Sequence, residues 1–295
     1  MFAPRSRASG ALLAALSAAL LAVMGAMTPA QGDDTGQPGV LSIGGSVTEI
    51  VYALGEGDRL VARDTTSTFP VEARALPDVG YMRALSPEGV LSVSPGLILS
   101  EDGAGPPETM EVLNASGVEI VTIPSVETGP GIADKIRRVG DALDVADKAD
   151  ALAANVEAEI AAARSRAEDL AGDAPKRVLF VLSMQGGRVM ASGTGTAAAS
   201  IIELAGGVNA VTEFEGYKPM TDEAVSRAEP DVILMMDRGG DHAIANEVLF
   251  GMPAFQPTPA AETGAIVRMD GLFLLGFGPR TAKAVTDLSQ HLYGS

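Results

Sequence analysis

The 295-residue chain contains no cysteine and no tryptophan, and its only histidines are His242 and His291. The missing cysteines exclude a disulfide framework, a thiolate metal site and a Cys–His nucleophile. They do not argue against export. His291 falls in the last helical pattern, where a surface role is the simplest reading. Serine-elbow, zinc-protease and phosphate-loop motifs (G-x-S-x-G, H-E-x-x-H, G-K-[ST]) are absent. Basic charge is short as well: 21 Lys and Arg stand against 38 Asp and Glu, a formal charge of −17. A phosphate partner needs a basic face, so no nucleic acid is expected. Aromatics make up 4% of the chain, with four tyrosines, so any tyrosine in a candidate site carries weight.

What is present begins with an address. Arg5 and Arg7 precede an apolar run from Ala11 to Met27, and Thr28-Pro29-Ala30-Gln31-Gly32 follows. A charged start, an apolar middle and small residues before a polar stretch are the pattern of a secretory signal peptide. We assign 1–32 to it, with the cut after Ala30 or Gly32. The run is as short as the shortest membrane spans, roughly 17–25 residues, and lacks a charged far flank, so cleavage is preferred to an anchor. No cysteine follows it, which excludes a lipoprotein anchor. Removing Arg5 and Arg7 takes the charge to −19 (−17 minus 2). Export to the periplasm is expected.

From Val40 short apolar runs alternate with helical patterns, which predicts an α/β fold with a mainly parallel sheet. Strands are expected at Val40–Ile43, Leu60–Ala62, Leu97–Leu99 and Ile120–Ile123. Ser46 and Glu49 have capping-box spacing, which predicts a helix from Ser46 to Leu54. Residues 132–174 differ: they are rich in Ala, Glu, Lys and Arg, strong helix formers, and read as a helical connector with a break near 143–147. After Pro175 the α/β pattern resumes, with strands at Arg177–Leu182, Arg188–Ala191 and Val232–Met236. The expected units are 38–131, 132–174 and 175–295. An internal repeat supports two lobes. Leu85-Ser86-Pro87-Glu88-Gly89-Val90 followed by Pro95-Gly96-Leu97-Ile98-Leu99 matches Met220-Thr221-Asp222-Glu223-Ala224-Val225 followed by Pro230-Asp231-Val232-Ile233-Leu234 at one offset. Two such lobes leave a cleft, a common place for ligands.

Gly193-Thr194-Gly195-Thr196-Ala197-Ala198 fits G-x-G-x-x-A, but no ribose-binding acid follows on a second strand, so a dinucleotide site is disfavoured. A helix start with free N–H groups for a ligand carboxylate fits better. Tyr81, in Gly80-Tyr81-Met82-Arg83, offers a hard phenolate oxygen suited to ferric iron, and tyrosine is a known axial ligand of haem. Its ordinary pKa near 10 makes ligation depend on a nearby cation, and Arg83 is two residues away. On the residues alone, a loop tyrosine packing on its own lobe is the commoner reading.

Four stretches together resemble the hemin-binding periplasmic proteins of haem ABC importers. They are Ser42–Gly55, Val79–Ser86, Glu101–Pro107 and Leu274–Arg280, and the likeness runs from Val40 to the C-terminus. The first marks the wider superfamily, shared with vitamin B12 and siderophore binders; the Gly-Tyr-Met-Arg stretch is more specific. The resemblance implies a class III periplasmic binding protein: two α/β lobes joined by a long inter-lobe helix, with the ligand between them. It implies capture of haem b as a transported ligand and delivery to the permease dimer of an inner-membrane ABC importer, by a monomer that is not an enzyme. Tyr81 would ligate the iron and Arg83 support it. Tyr217, its near-counterpart in the repeat, would face the cleft, and Arg238 would meet a propionate. Glu49 and Glu203, each taken to open a helix, would dock onto permease arginines or serve the helix dipoles. Some relatives use a histidine of the C-terminal lobe for a second haem. The stretch near Met184–Gly187 has none, although His242 lies in a loop with access to the cleft, so one haem with five-coordinate iron is expected. A ferric siderophore or corrinoid binder of the same fold is the alternative. A porphyrin-processing enzyme fits less well, for want of an acid–base group.

Overall fold

The computed structural model describes Met1 and residues 36–185, 188–237 and 244–294; of Gln185 only the backbone is described. The signal-peptide reading, Arg238, His242, Gly186 and Gly187 fall outside the described residues. Among those described, no helix is long and apolar enough to cross a membrane.

Two sheets form the frame. Strands β1 (Val40–Ile43), β2 (Leu60–Arg63), β3 (Leu97–Glu101) and β4 (Glu119–Ile123) make a parallel sheet in the order β2-β1-β3-β4. Strands β5 (Arg177–Gln185), β6 (Arg188–Ser192), β7 (Val208–Asn209), β8 (Tyr217–Met220), β9 (Val232–Asp237) and β10 (Ile266–Asp270) make the second, in the order β10-β9-β5-β6-β8, with β7 beside β5. Here β5, β9 and β10 run parallel, while β6 is antiparallel to β5 and β8 to β6. Strands β1 and β3 are apolar but for Ser42, Ser100 and Glu101, and both are buried on both faces up to Ser100, as expected of strands covered by helices.

The repeat is a repeat of structure. Ser86 caps the helix Pro87–Leu91 by accepting from Gly89 N–H, and Thr221 caps Asp222–Arg227 by accepting from Ala224 N–H. Ser94 and Glu229, which share the repeat's offset, both take positive φ, 48° and 43°, just before Pro95 and Pro230. The chain thus makes the same left-handed corner in both lobes before entering β3 and β9.

Between the sheets lie two helices, Gly129–Ala142 and Ala146–Ala171. The break expected near 143–147 is a tight turn with Asp144 at φ 59°. The longer helix has 26 residues, about 39 Å at 1.5 Å per residue. Its buried positions (Ala149, Ala153, Val156, Ile160, Ala163, Ala167) repeat every three or four residues, a single stripe facing inward. One apolar cluster runs without interruption from Val40 and Leu99 through Ile136 and Ile160 to Phe180 and Leu288. The helical segment is therefore core shared by both lobes, not a solvated strut. Apolar burial is worth roughly 25 cal/mol per Å², so large rotation of one lobe about the other would expose costly surface.

The expected capping box is not formed. The helix runs Gly45–Ala53 with Gly44 at its N-cap and no side-chain cap. Ser46 and Glu49 bond elsewhere, to groups remote in sequence. The dipole reading of the two glutamates fails for the same helix and for Ala197–Leu204: neither has an acid in its first turn, and Glu203 is the next-to-last residue of its helix.

Candidate functional site

Ligands of open α/β sheets bind outside the carboxyl ends of the strands. In this chain those ends meet between the lobes. The helix after β1 abuts the segment after β10: Leu272 packs against Gly45, where an added Cβ would lie 2.5 Å from Leu272 Cδ1. Beside it, Arg280 donates to both oxygens of Glu49, through its backbone N–H at 3.1 Å and Nη2 at 2.9 Å. The Arg280 guanidinium also covers the Phe69 ring, 3.5 Å from its centroid, and lies 5.1 Å from that of Phe273. Arg280 of the second lobe thus joins Glu49 and Phe69 of the first.

Tyr81 is 45% exposed, while its neighbours Val79 and Met82 are buried in the first lobe. The chain folds back at this point, because the buried pair anchors the loop and turns the tyrosine out. Arg83 is exposed as well. Across the cleft, Tyr217 opens the edge strand β8, with its ring edge-on to buried Phe180 at 6.3 Å between centroids. Burial pushes the Tyr217 phenol above its ordinary range. Polar groups of Thr196 and Ala198, at the start of the helix Ala197–Leu204, pull the other way, as does the charge of Arg83; Glu127 adds to the rise. The field of Arg83 therefore reaches a residue of the opposite lobe. Its ring contact with Phe180 and its approach to Thr196 and Ala198 make Tyr217 a stacking and hydrogen-bonding group at the face of the second lobe. The helix start that was expected to offer free N–H groups is instead capped by buried Thr196, which accepts from Ala199 N–H, and approached by the Tyr217 oxygen.

Glu49 is 5% exposed and engaged by Arg280, so its charge points into the inter-lobe contact. Glu203 is at the surface of the second lobe, beside Gly206 and Gly207. The polar groups missed in the sequence lie beneath the site. Lys135 is fully buried, and its Nζ donates to Glu101 Oε1 at 2.7 Å and Ser46 Oγ at 3.1 Å. Asp64, also fully buried, accepts from Gly44 N–H, Ser67 and Thr66. Both tie down segments at the carboxyl ends of the first sheet's strands. A cluster of three or more metal-ligating His, Cys, Asp or Glu is absent among the described residues.

A family model described as periplasmic binding protein matches residues 40–271. The chain belongs to this family. It is similar to the solved periplasmic heme-binding protein BhuT in complex with two hemes: 41% identity, 87% of this chain and 98% of that one, TM-score 0.83. The apo periplasmic heme-binding protein RhuT from Roseiflexus sp. RS-1 gives 38% identity, 88% and 98% coverage, and TM-score 0.83. A vitamin B12-binding protein of Vibrio cholerae is 28% identical over 262 residues, 86% of this chain and 88% of its own. The fold is accordingly that of the class III periplasmic binding proteins. Members of this family are substrate-binding transport proteins.

Proposed function

We propose that this periplasmic binding protein captures haem between its lobes and delivers it to an ABC importer in the inner membrane. The observation that carries the reading is the outward-turned Tyr81 beside Arg83, whose charge reaches Tyr217 in the opposite lobe, in a chain 41% identical to a heme-binding protein. Tyr81 supplies the phenolate for ferric iron. Arg83 supports that ligation and pairs with a propionate. Tyr217 stacks on the ring or donates to a propionate as a neutral phenol. Arg238, next after β9, meets the other propionate. The cargo is haem b, one per protein, with five-coordinate iron. The protein works as a periplasmic monomer after loss of residues 1–32, its units being 38–131, 132–174 and 175–295. Docking on the permease dimer uses exposed Glu203; Glu49 can join only if its pair with Arg280 opens, so Glu203→Arg should impair haem uptake more than Glu49→Gln.

The decisive experiment is a hemin titration of the mature protein, followed by absorbance, beside Tyr81→Ala and a parallel titration with cyanocobalamin. A saturable one-to-one ferric tyrosinate spectrum is expected, lost in Tyr81→Ala with affinity reduced about 100-fold, roughly 2.7 kcal/mol. Two-to-one saturation would overturn the single-haem statement alone. Binding of cyanocobalamin but not hemin would overturn the haem reading in favour of a corrinoid, the ligand named for the 28% identical relative.

A further inference from the structure

The residue just before Tyr81 is held at both of its polar backbone groups. Gly80 N–H donates to Asp78 Oδ1 at 2.9 Å, and Gly80 C=O accepts from Thr65 N–H at 3.0 Å. The Gly80 φ of +103° belongs to a region that residues with a Cβ rarely adopt, yet nothing lies within 4 Å of where that Cβ would be. Glycine is needed here for conformation and not for space.

Asp78 is the centre of this clamp. Its Oδ1 also accepts from the Thr65 hydroxyl at 3.0 Å, and its Oδ2 from Arg63 Nη1 at 2.9 Å. Arg63 is fixed in turn, with Nε donating to Ala73 C=O at 3.1 Å and Nη1 to Asp64 C=O at 2.9 Å. Arg63 and Asp78 also pair through the backbone: Val79 N–H donates to Arg63 C=O and Arg63 N–H to Pro77 C=O, both at 2.9 Å. Beyond Tyr81, Met82 C=O accepts from Gly105 N–H at 2.8 Å, and Leu85 N–H donates to Gly105 C=O at 2.9 Å. Tyr81 is therefore the outward point of a loop fixed on both sides. Groups bound to a metal hold their geometry only when supporting hydrogen bonds keep them within roughly 0.5 Å.

We propose that Asp78, with Arg63 and Thr65, is a positioning residue for Tyr81: by locking the Gly80 peptide units it sets the reach of the phenol oxygen toward the iron. Asp78 touches no ligand itself. The inference rests on the haem reading, since a clamp of this kind matters for a directional iron–oxygen bond and not for an apolar contact.

Hemin titrations of the parent, Asp78→Ala, Asp78→Asn, Gly80→Ala and Tyr81→Phe test it, read by absorbance and by resonance Raman bands of iron-bound tyrosinate. Asp78→Ala and Gly80→Ala should still take up hemin, with the tyrosinate bands weakened toward those of Tyr81→Phe and affinity about ten-fold lower, as for outer-shell partners of metal ligands. Asp78→Asn keeps a carbonyl for Gly80 N–H and should recover most of the bands. Gly80→Ala removes no side-chain contact, so it reads backbone conformation even if Asp78→Ala does not fold. Tyrosinate bands and affinity unchanged in Gly80→Ala, or in a folded Asp78→Ala, would overturn the positioning role and leave the haem reading intact. A parent protein that fails to bind hemin would overturn both.

Discussion

The two lobes share a plan and differ in what holds their cleft edges. Each places a capped helix, a left-handed corner before proline and a buried central strand at matching positions. Under the cleft, however, the first lobe is held by charge: Lys135 with Glu101, and the Asp64 carboxylate on Gly44, Thr66 and Ser67. Among the described residues, the buried polar side chains of the second lobe are neutral. Ser192 and Thr196 share a hydrogen bond, Thr196 also donates to Gly193 C=O, and Asn209 Nδ2 donates to the same carbonyl at 3.1 Å. Buried charges tolerate little displacement, because a lost partner leaves an uncompensated ion. The lobe with the charged floor is the one that carries Tyr81. The other presents Tyr217 at the start of an edge strand.

The largest expected break in this comparison is Lys135→Met. Leaving the partly buried Glu101 without its cation should lower the unfolding free energy by about 3 kcal/mol, measured by urea denaturation. The corresponding loss in the second lobe, Asn209→Ala, should cost about 1–3 kcal/mol. Equal losses would remove the distinction between the floors. Next is the contact that joins them. Arg280→Met strips the Glu49 carboxylate of its side-chain partner and should cost about 2 kcal/mol, visible as a lower denaturation midpoint. The smallest effect sharpens the likeness instead. Ser86→Ala and Thr221→Ala each remove one N-cap and should cost about 1 kcal/mol apiece. Values differing by more than that would show that the repeat is geometric without being energetic.

How much of this was legible in the sequence varies by residue. Strands β1 to β4 and the caps at Ser86 and Thr221 were readable, because apolar runs and capping spacing are local signals. Strand β8 was not. Pro219 argues against a strand, and only its place at the sheet edge, where a missing N–H goes unnoticed, makes it acceptable. Tyr217 could therefore be proposed from the repeat but not placed on an element. Ser46 and Glu49 have the spacing of a capping box, yet their partners are Glu101 and Arg280, contacts that no local pattern announces. Lys135 looked like one more charge on a polar helix, and its burial depends on where that helix packs.

The sequence by itself determined the α/β class, the doubling of the lobes, the helical segment between them and the tyrosine–arginine pair, since each rests on patterns that are local in the chain, the doubling on one local pattern that occurs twice. Tertiary structure alone decided that the helical segment is shared core, that Glu49 faces inward to Arg280, and that Asp78 and Thr65 hold the peptide units before Tyr81. The reason is physical. Hydrogen bonds and ion pairs between remote segments depend on distances of a few tenths of an ångström, and those are fixed only when the whole core has packed.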